Sequence, residues 1–109
     1  MYEFSIDTSS KPDLYRDLLA ALAALTASEP DPVANMANAA ALIWEYLPAL
    51  NWAGFYRLID GELVLGPFQG KVACIRISLG KGVCGTAAST LKTQLVADAA
   101  SHAICPGNA

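Results

Sequence analysis

Three cysteines occupy the final third of this 109-residue chain, and none precedes them. Cys74 and Cys84 lie within GPFQGKVACIRISLGKGVCGTAAST (residues 66–90), and Cys105 follows in HAICPGNA. Thiols act as nucleophiles, as redox pairs or as metal ligands, and a free cysteine is also a common core residue. The chemistry available to this chain therefore depends on how these three sulfur atoms are placed.

The segment around Cys84, GKGVCGTA, combines a glycine turn with the start of a short helix. Gly80, Gly82 and Gly85 allow a sharp turn or a close approach of the backbone to a ligand. Helix-start N–H groups and the charge of Lys81 favour a thiolate at Cys84. The alternative is a small residue packed at a tight contact between the helix and a strand.

The other two cysteines have different settings. Cys74 is flanked by apolar residues in a predicted strand, where a core position is the simplest interpretation, while Cys105 lies in a loop-like segment. His102 lies three residues before Cys105 and could polarise its thiol. A metal held by these residues is an alternative, but Cys74 and Cys84 are ten positions apart and no C-x-x-C pair exists. We therefore predict no metal site.

Composition restricts the class of protein. The formal net charge is −3, with 7 basic against 10 acidic side chains and no basic run, which argues against nucleic-acid binding. The first residues lack the pattern of a secretory signal, and the alanine-rich run LLAALAALTA is too short to span a membrane. An odd number of cysteines does not suit a secreted disulfide framework. We expect a cytoplasmic protein.

Two helices are predicted in the first half of the chain. Residues 10–27 begin with Ser10 as the N-cap and Asp13 three residues later, and leucines follow at helical spacing. A second helix begins at Asp31 with Pro32 at its first position and ends at Pro48. The leucine stripe of the first helix is Leu14, Leu18, Leu22 and Leu25, and the predicted buried face of the second is Val33, Met36, Ala40, Trp44 and Leu47.

A β-hairpin is predicted next, with strands at residues 52–59 and 62–68 and a turn at Asp60 and Gly61. Strand alternation places Trp52, Gly54 and Tyr56 on one face. Two aromatic rings separated by a glycine would form a small apolar slot. Ordinary core aromatics are the alternative.

The rest of the chain adds a third strand at ACIRI (73–77), a helix at residues 83–91 and a fourth strand at TQLVAD (93–98). Helices followed by antiparallel strands define an α+β class, with the two N-terminal helices on one face of the sheet. The predicted sheet has an open edge, which favours self-association, for example as a homodimer. Residues 1–109 are therefore expected to form one incomplete domain that lacks C-terminal strands and a helix.

In their order and spacing, NWAGFY, GPFQGK, ACIRI and GKGVCGTA resemble the free methionine-(R)-sulfoxide reductases, which are built on a GAF domain. The resemblance covers most of the chain and is densest over residues 51–87. It implies a GAF-like fold and an oxidoreductase that acts on the free amino acid rather than on protein-bound residues. The acidic segment that should hold the substrate amine in this family has no counterpart here.

Residue roles follow from the same resemblance. Cys74 matches the cysteine that resolves a sulfenic acid, Cys84 matches a second cysteine that can join a disulfide, and Trp52 and Tyr56 match the pocket walls. We favour Cys105 as the attacking cysteine, because HAIC is similar to the family's segment with that residue. In a second alignment Cys105 replaces an aromatic residue, and the attacking cysteine would lie just beyond Ala109.

The implied chemistry needs two thiols that can meet and no metal or organic cofactor. A thiolate attacks the sulfoxide sulfur, a sulfenic acid remains, and a second thiol converts it into a disulfide. An external dithiol, thioredoxin in most of the family, restores the thiols after each turnover. The resemblance also implies a role in the response to oxidative stress. A GAF-type binding module without turnover and an inactive fragment of the reductase are the alternative functions.

Overall fold

The computed structural model describes residues 3–97 and has the predicted α+β class. Its elements are α1 (Lys11–Thr26), α2 (Pro32–Tyr46), β1 (Trp52–Ile59), β2 (Glu62–Gly70), β3 (Arg76–Ser78) and α3 (Gly82–Thr90). Within the described part of the chain, the strands form one sheet in the order β1-β2-β3. No helix in residues 3–97 has both the length and the apolar character that crossing a bilayer requires.

Helix α1 begins where the sequence predicts. The Ser10 hydroxyl accepts a hydrogen bond from the Asp13 amide at 3.3 Å and donates one to the Asp13 carboxylate at 2.9 Å. This side chain satisfies a backbone donor that the first helical turn would otherwise leave unpaired. Leu14 and Leu18 are buried and Leu22 is partly buried, so the predicted leucine stripe is confirmed.

Helix α2 has its predicted cap but not its predicted face. The Asp31 carboxylate accepts from the Ala34 amide at 2.8 Å. The buried positions are Ala39, Ala40 and Leu42, whereas Val33 and Trp44 are exposed, so the predicted face is wrong at those two residues. Leu42 packs with residues of α1, which turns the buried face by roughly a quarter turn relative to the prediction.

The hairpin and its turn are confirmed. Asp60 and Gly61 have φ values of 50° and 80°, the left-handed pair that suits the twist of a two-residue hairpin. Strand β3 pairs antiparallel with β2, with Leu63 opposite Ile77. The Arg76 guanidinium and the Glu62 carboxylate, 2.7 Å apart, form an ion pair across the same two strands.

The predicted fourth strand is wrong over the residues that the structure describes. Residues 93–97 are irregular, and Leu95 is 98% exposed. Their composition suits a strand, but a strand is stable only when it pairs and packs, and the described sheet contains β1, β2 and β3 alone.

The chain forms two compact units, and both contain part of the β1–β2 hairpin. The first unit includes α1, α2, the start of β1 and Gly66–Lys71. Its core joins Leu18 and Ala21 of α1 to Leu42 of α2. The second unit includes Tyr56–Leu65, β3 and α3, and its core is Leu63, Cys74 and Ile77. The placement of α1 and α2 on one face of the sheet stays a prediction.

Candidate active site

Cys74 lies in the core of the second unit, with 6% of its surface exposed. Leu63 and Ile77 are buried beside it, and Tyr56 and Ala88 pack against the same cluster. The prediction that Cys74 belongs to a strand is wrong, because β3 begins only at Arg76 and Cys74 lies in the irregular segment before it. The apolar setting was predicted correctly, but it comes from packing around an irregular backbone.

The hydroxyl of Tyr56 donates a hydrogen bond to the backbone carbonyl of Cys74 over 2.7 Å. Burial, with a smaller contribution from charge on Cys84, raises the pKa of Tyr56 above its ordinary value. The phenol is therefore protonated at neutral pH and able to donate. Tyr56, which the sequence predicts to be an aromatic wall, therefore also restrains the main chain at Cys74.

Cys84 occupies the first turn of α3 and is exposed. Burial of part of its environment nevertheless raises the pKa of the Cys84 thiol. This direction is opposite to the one expected from the helix start and Lys81, because partial burial disfavours the charged thiolate. Cys84 is a protonated thiol at neutral pH.

Gly85, the residue after Cys84, allows α3 to lie directly against β3. A Cβ at Gly85 would collide with the backbone oxygen of Ser78 and lie 3.4 Å from Ile77 Cγ2. The Lys81 amide also donates to the Ser78 carbonyl at 3.1 Å, and the Gly80 amide donates to the Gly85 carbonyl at 2.9 Å. The glycine pattern therefore serves a tight helix–strand contact, as the sequence-based alternative for this segment proposed.

The two described cysteines differ in covalent state. Cys74 is disulfide-bonded, and Cys84 is free. Cys105 and His102 lie outside the described residues, and their predicted roles stay predictions. Residues 3–97 contain no cluster of three or more histidine, cysteine or acidic side chains that could hold a metal ion.

Trp52 belongs to the first unit and makes its own aromatic contact. Its indole ring stacks on Phe68, with centroids 5.5 Å apart and planes inclined by 17°. A Cβ at Gly54 would overlap Phe68 and lie 2.8 Å from Cη2 of Trp52. The space beside Gly54 is therefore filled by Phe68 and the Trp52 ring, and the role of Trp52 and Tyr56 as pocket walls stays a prediction.

One residue and one hydrogen bond near the candidate site were not predicted from the sequence. Phe68 is the stacking partner of Trp52, and its position in GPFQGK, opposite a strand with Gly54, was the available signal. The hydrogen bond from the Tyr56 hydroxyl to Cys74 joins residues 18 positions apart, and no local pattern announces it.

Several known proteins are similar in sequence to most of this chain. A protein of Zymomonas mobilis is 62% identical over 98 residues, which are 90% of this chain and 61% of that protein. The free methionine-R-sulfoxide reductase of Escherichia coli is 51% identical over 89 residues, which are 82% of this chain and 54% of that enzyme. The chain therefore spans between 54% and 61% of the length of these two curated relatives. No family model matches the chain.

Solved structures share its fold. The free methionine-R-sulfoxide reductase of Neisseria meningitidis, in complex with its substrate, superposes with a TM-score of 0.85 and 42% identity. The match covers 96% of this chain and 64% of that enzyme. A solved GAF domain superposes with a TM-score of 0.81 and 43% identity, covering 90% of this chain and 59% of that domain. In sequence and in fold, the chain is similar to the free methionine-(R)-sulfoxide reductases, and its fold is that of GAF proteins.

Proposed function

We propose that this chain catalyses the thiol-dependent reduction of free L-methionine-(R)-sulfoxide to L-methionine. The observation that carries the proposal is its superposition, over 96% of its length, on a reductase whose structure holds the substrate. The 51% identity with the Escherichia coli enzyme of the same name supports the same reaction. Because the chain spans only part of these relatives, the activity is a property to be tested on this polypeptide itself.

The proposed reaction begins with the attack of the Cys105 thiolate on the sulfoxide sulfur while the sulfoxide oxygen takes up one proton. Methionine is released and the oxygen remains on Cys105 as a sulfenic acid, so that the sulfoxide is reduced to methionine and the cysteine is oxidised. The Cys74 thiol then attacks the sulfenic sulfur, water leaves, and a disulfide forms. No metal or organic cofactor takes part in this sequence.

The described thiols are consistent with this division of roles. A raised pKa keeps Cys84 protonated at neutral pH, and a thiol is a far weaker nucleophile than a thiolate, which disfavours Cys84 as the attacking residue. Cys74 is buried and disulfide-bonded, which suits a residue that takes part in an internal redox pair. Cys84 is assigned the subsidiary role of a second thiol.

The substrate and the reductant complete the proposal. Trp52 and Tyr56 are proposed to contact free methionine sulfoxide as aromatic walls, and the Trp52–Phe68 stack would hold the first wall in one orientation. Thioredoxin or another dithiol is the proposed reductant, with two electrons passing from the dithiol to the disulfide. Such a cycle requires a reducing compartment, and we infer a cytoplasmic protein that repairs methionine oxidised under oxidative stress.

The test is consumption of NADPH in a mixture of the chain, thioredoxin, thioredoxin reductase and methionine sulfoxide of defined configuration. Turnover of the R form, with none of the S form and none without thioredoxin, supports the proposal. Calorimetric binding of the R form without turnover instead supports a GAF-type binding module, for which the match to a solved GAF domain is the specific observation. Neither binding nor turnover identifies an inactive fragment.

A further inference from the structure

Cys74 is a single buried residue within an exposed segment. Its own surface is 6% exposed, whereas Val72 is 93% and Ile75 is 68% exposed. Residues 72–74 have no regular secondary structure. The side chain of Cys74 is therefore buried between two exposed apolar residues, Val72 and Ile75.

Backbone pairing begins immediately after this cysteine. The Leu65 amide donates to the carbonyl of Ile75 at 2.9 Å, and β3 pairs with β2 from Arg76 onward. The carbonyl of Cys74 is held instead by a side chain, the Tyr56 hydroxyl, at 2.7 Å. The tyrosine thus restrains the main chain at the last residue before the strand pairing begins.

We propose that Tyr56 is a positioning residue whose hydroxyl, through the carbonyl of Cys74, keeps the Cys74 sulfur buried and limits its reaction with external reagents. This inference rests on the proposed function only in taking Cys74 as a redox-active cysteine. It assigns to Tyr56 a second role besides that of an aromatic wall, carried by its hydroxyl rather than by its ring.

The surroundings of Tyr56 suit this role. Its ring packs against the cluster of Leu63, Cys74 and Ile77, so the hydroxyl is presented from a partly buried and restrained ring. The raised pKa of the phenol keeps its proton available for the hydrogen bond through the neutral range. Reaction at Cys74 then requires a local opening of the segment, and the hydrogen bond opposes that opening.

The test compares the wild-type chain with Tyr56→Phe, which keeps the ring and removes the hydroxyl. Both proteins are fully reduced, exposed briefly to iodoacetamide at one pH, and digested, and the alkylated fractions of Cys74 and Cys84 are measured by mass spectrometry. Cys84 is free and exposed and serves as the internal reference. Tyr46→Phe, the same change at a partly buried tyrosine of α2, is the matched control.

We expect the rate at Cys74, relative to Cys84, to rise about fivefold in Tyr56→Phe, the change in an opening equilibrium that a neutral hydrogen bond of ordinary strength produces. Tyr46→Phe should leave that ratio unchanged. An unchanged ratio in Tyr56→Phe would overturn the proposal, as would equal acceleration of both cysteines, which indicates a general loosening. Methionine sulfoxide is not needed in this experiment, so its outcome is independent of whether the chain turns over substrate.

Discussion

Trp52 and Phe68 form a stacked aromatic pair, with ring centroids 5.5 Å apart, and Gly54 lies beneath the pair without a side chain to separate them. A residue with a Cβ at position 54 would push Phe68 away from β1. The orientation of the Trp52 indole is therefore fixed by its partner on β2 and by the absence of a side chain two residues along its own strand.

Replacing Phe68 by leucine should destabilise the chain by about 1–2 kcal/mol, because the stacking energy is lost and the smaller side chain fills less of the space. Chemical denaturation measures the free energy of unfolding. In a Trp44→Phe background the emission of Trp52 should also shift to longer wavelength as its ring becomes more exposed. Phe55→Leu makes the same chemical change on β1 rather than β2, and as the control it should leave the Trp52 emission unchanged.

Gly85→Ala tests the contact between α3 and β3. Helix propensity alone predicts that alanine stabilises this position by about 1 kcal/mol. The added methyl group would instead meet the Ser78 carbonyl oxygen, a backbone atom that cannot rotate away, so we expect destabilisation by about 1–3 kcal/mol. Thermal or urea unfolding gives the sign directly. Ser89→Ala, at an exposed position of the same helix, should change stability by less than about 0.5 kcal/mol.

Stability should fall at alkaline pH because of two groups in the second unit. Burial raises the pKa of Cys84 from 9.0, and burial together with charge on Cys84 raises that of Tyr56 from 10.0. The unfolded chain therefore releases these protons before the folded chain does, so the contribution of both groups is complete below pH 9 and is lost as the pH rises through their folded pKa values.

Urea unfolding at a series of pH values from 7 to beyond about 10 measures how steeply the free energy of unfolding falls with pH. Cys84→Ser should reduce the pH dependence of the unfolding free energy at the lower end of this range, where Cys84 titrates. Tyr56→Phe should reduce it at the higher end, where Tyr56 titrates. Both effects are expected whatever each substitution does to stability at neutral pH. If both variants keep the full wild-type slope, other groups are responsible for the alkaline loss.

Local chemistry explains what the sequence could predict of this fold. Ser10 and Asp31 are caps whose function depends on residues three positions away, and Asp60 with Gly61 sets its own turn. These features need no information about distant parts of the chain. The predicted strand at 93–98 was wrong over its described residues 93–97, and the predicted face of α2 was wrong at Val33 and Trp44, because strand pairing and helix packing depend on partners that a local pattern does not specify.

The candidate site follows the same division. The apolar environment of Cys74 could be predicted from its flanking residues, but its irregular backbone and its bond to Tyr56 arise from the way β3 and β1 lie beside β2. Burial raises the pKa of Cys84, whereas the charge and helix position that are visible in the sequence suggest a lowered pKa, because a local pattern does not show burial. The roles of Trp52 and Tyr56 as substrate walls come from the family resemblance alone.

The last prediction separates the three thiols by their kinetic roles. Cys105→Ser should abolish methionine release, because the attacking atom is gone. Cys74→Ser should still release about one methionine per chain when dithiol is scarce, since the sulfenic acid forms but has no internal thiol to resolve it. Cys84→Ser should have the mildest effect, provided that Cys74 alone resolves the intermediate.

Single-turnover assays with free methionine-(R)-sulfoxide measure these amounts, and non-reducing mass spectrometry after one turnover should find Cys74 bridged to Cys105 in the wild-type chain. Closing a loop of this size costs an entropy that grows only with the logarithm of its length, so the bridge is accessible even though Cys74 begins in a buried position. Full single-turnover release by Cys105→Ser would show that another group attacks the sulfoxide. Release by Cys105→Ser that disappears on adding Cys84→Ser would identify Cys84 as that group, despite its raised pKa.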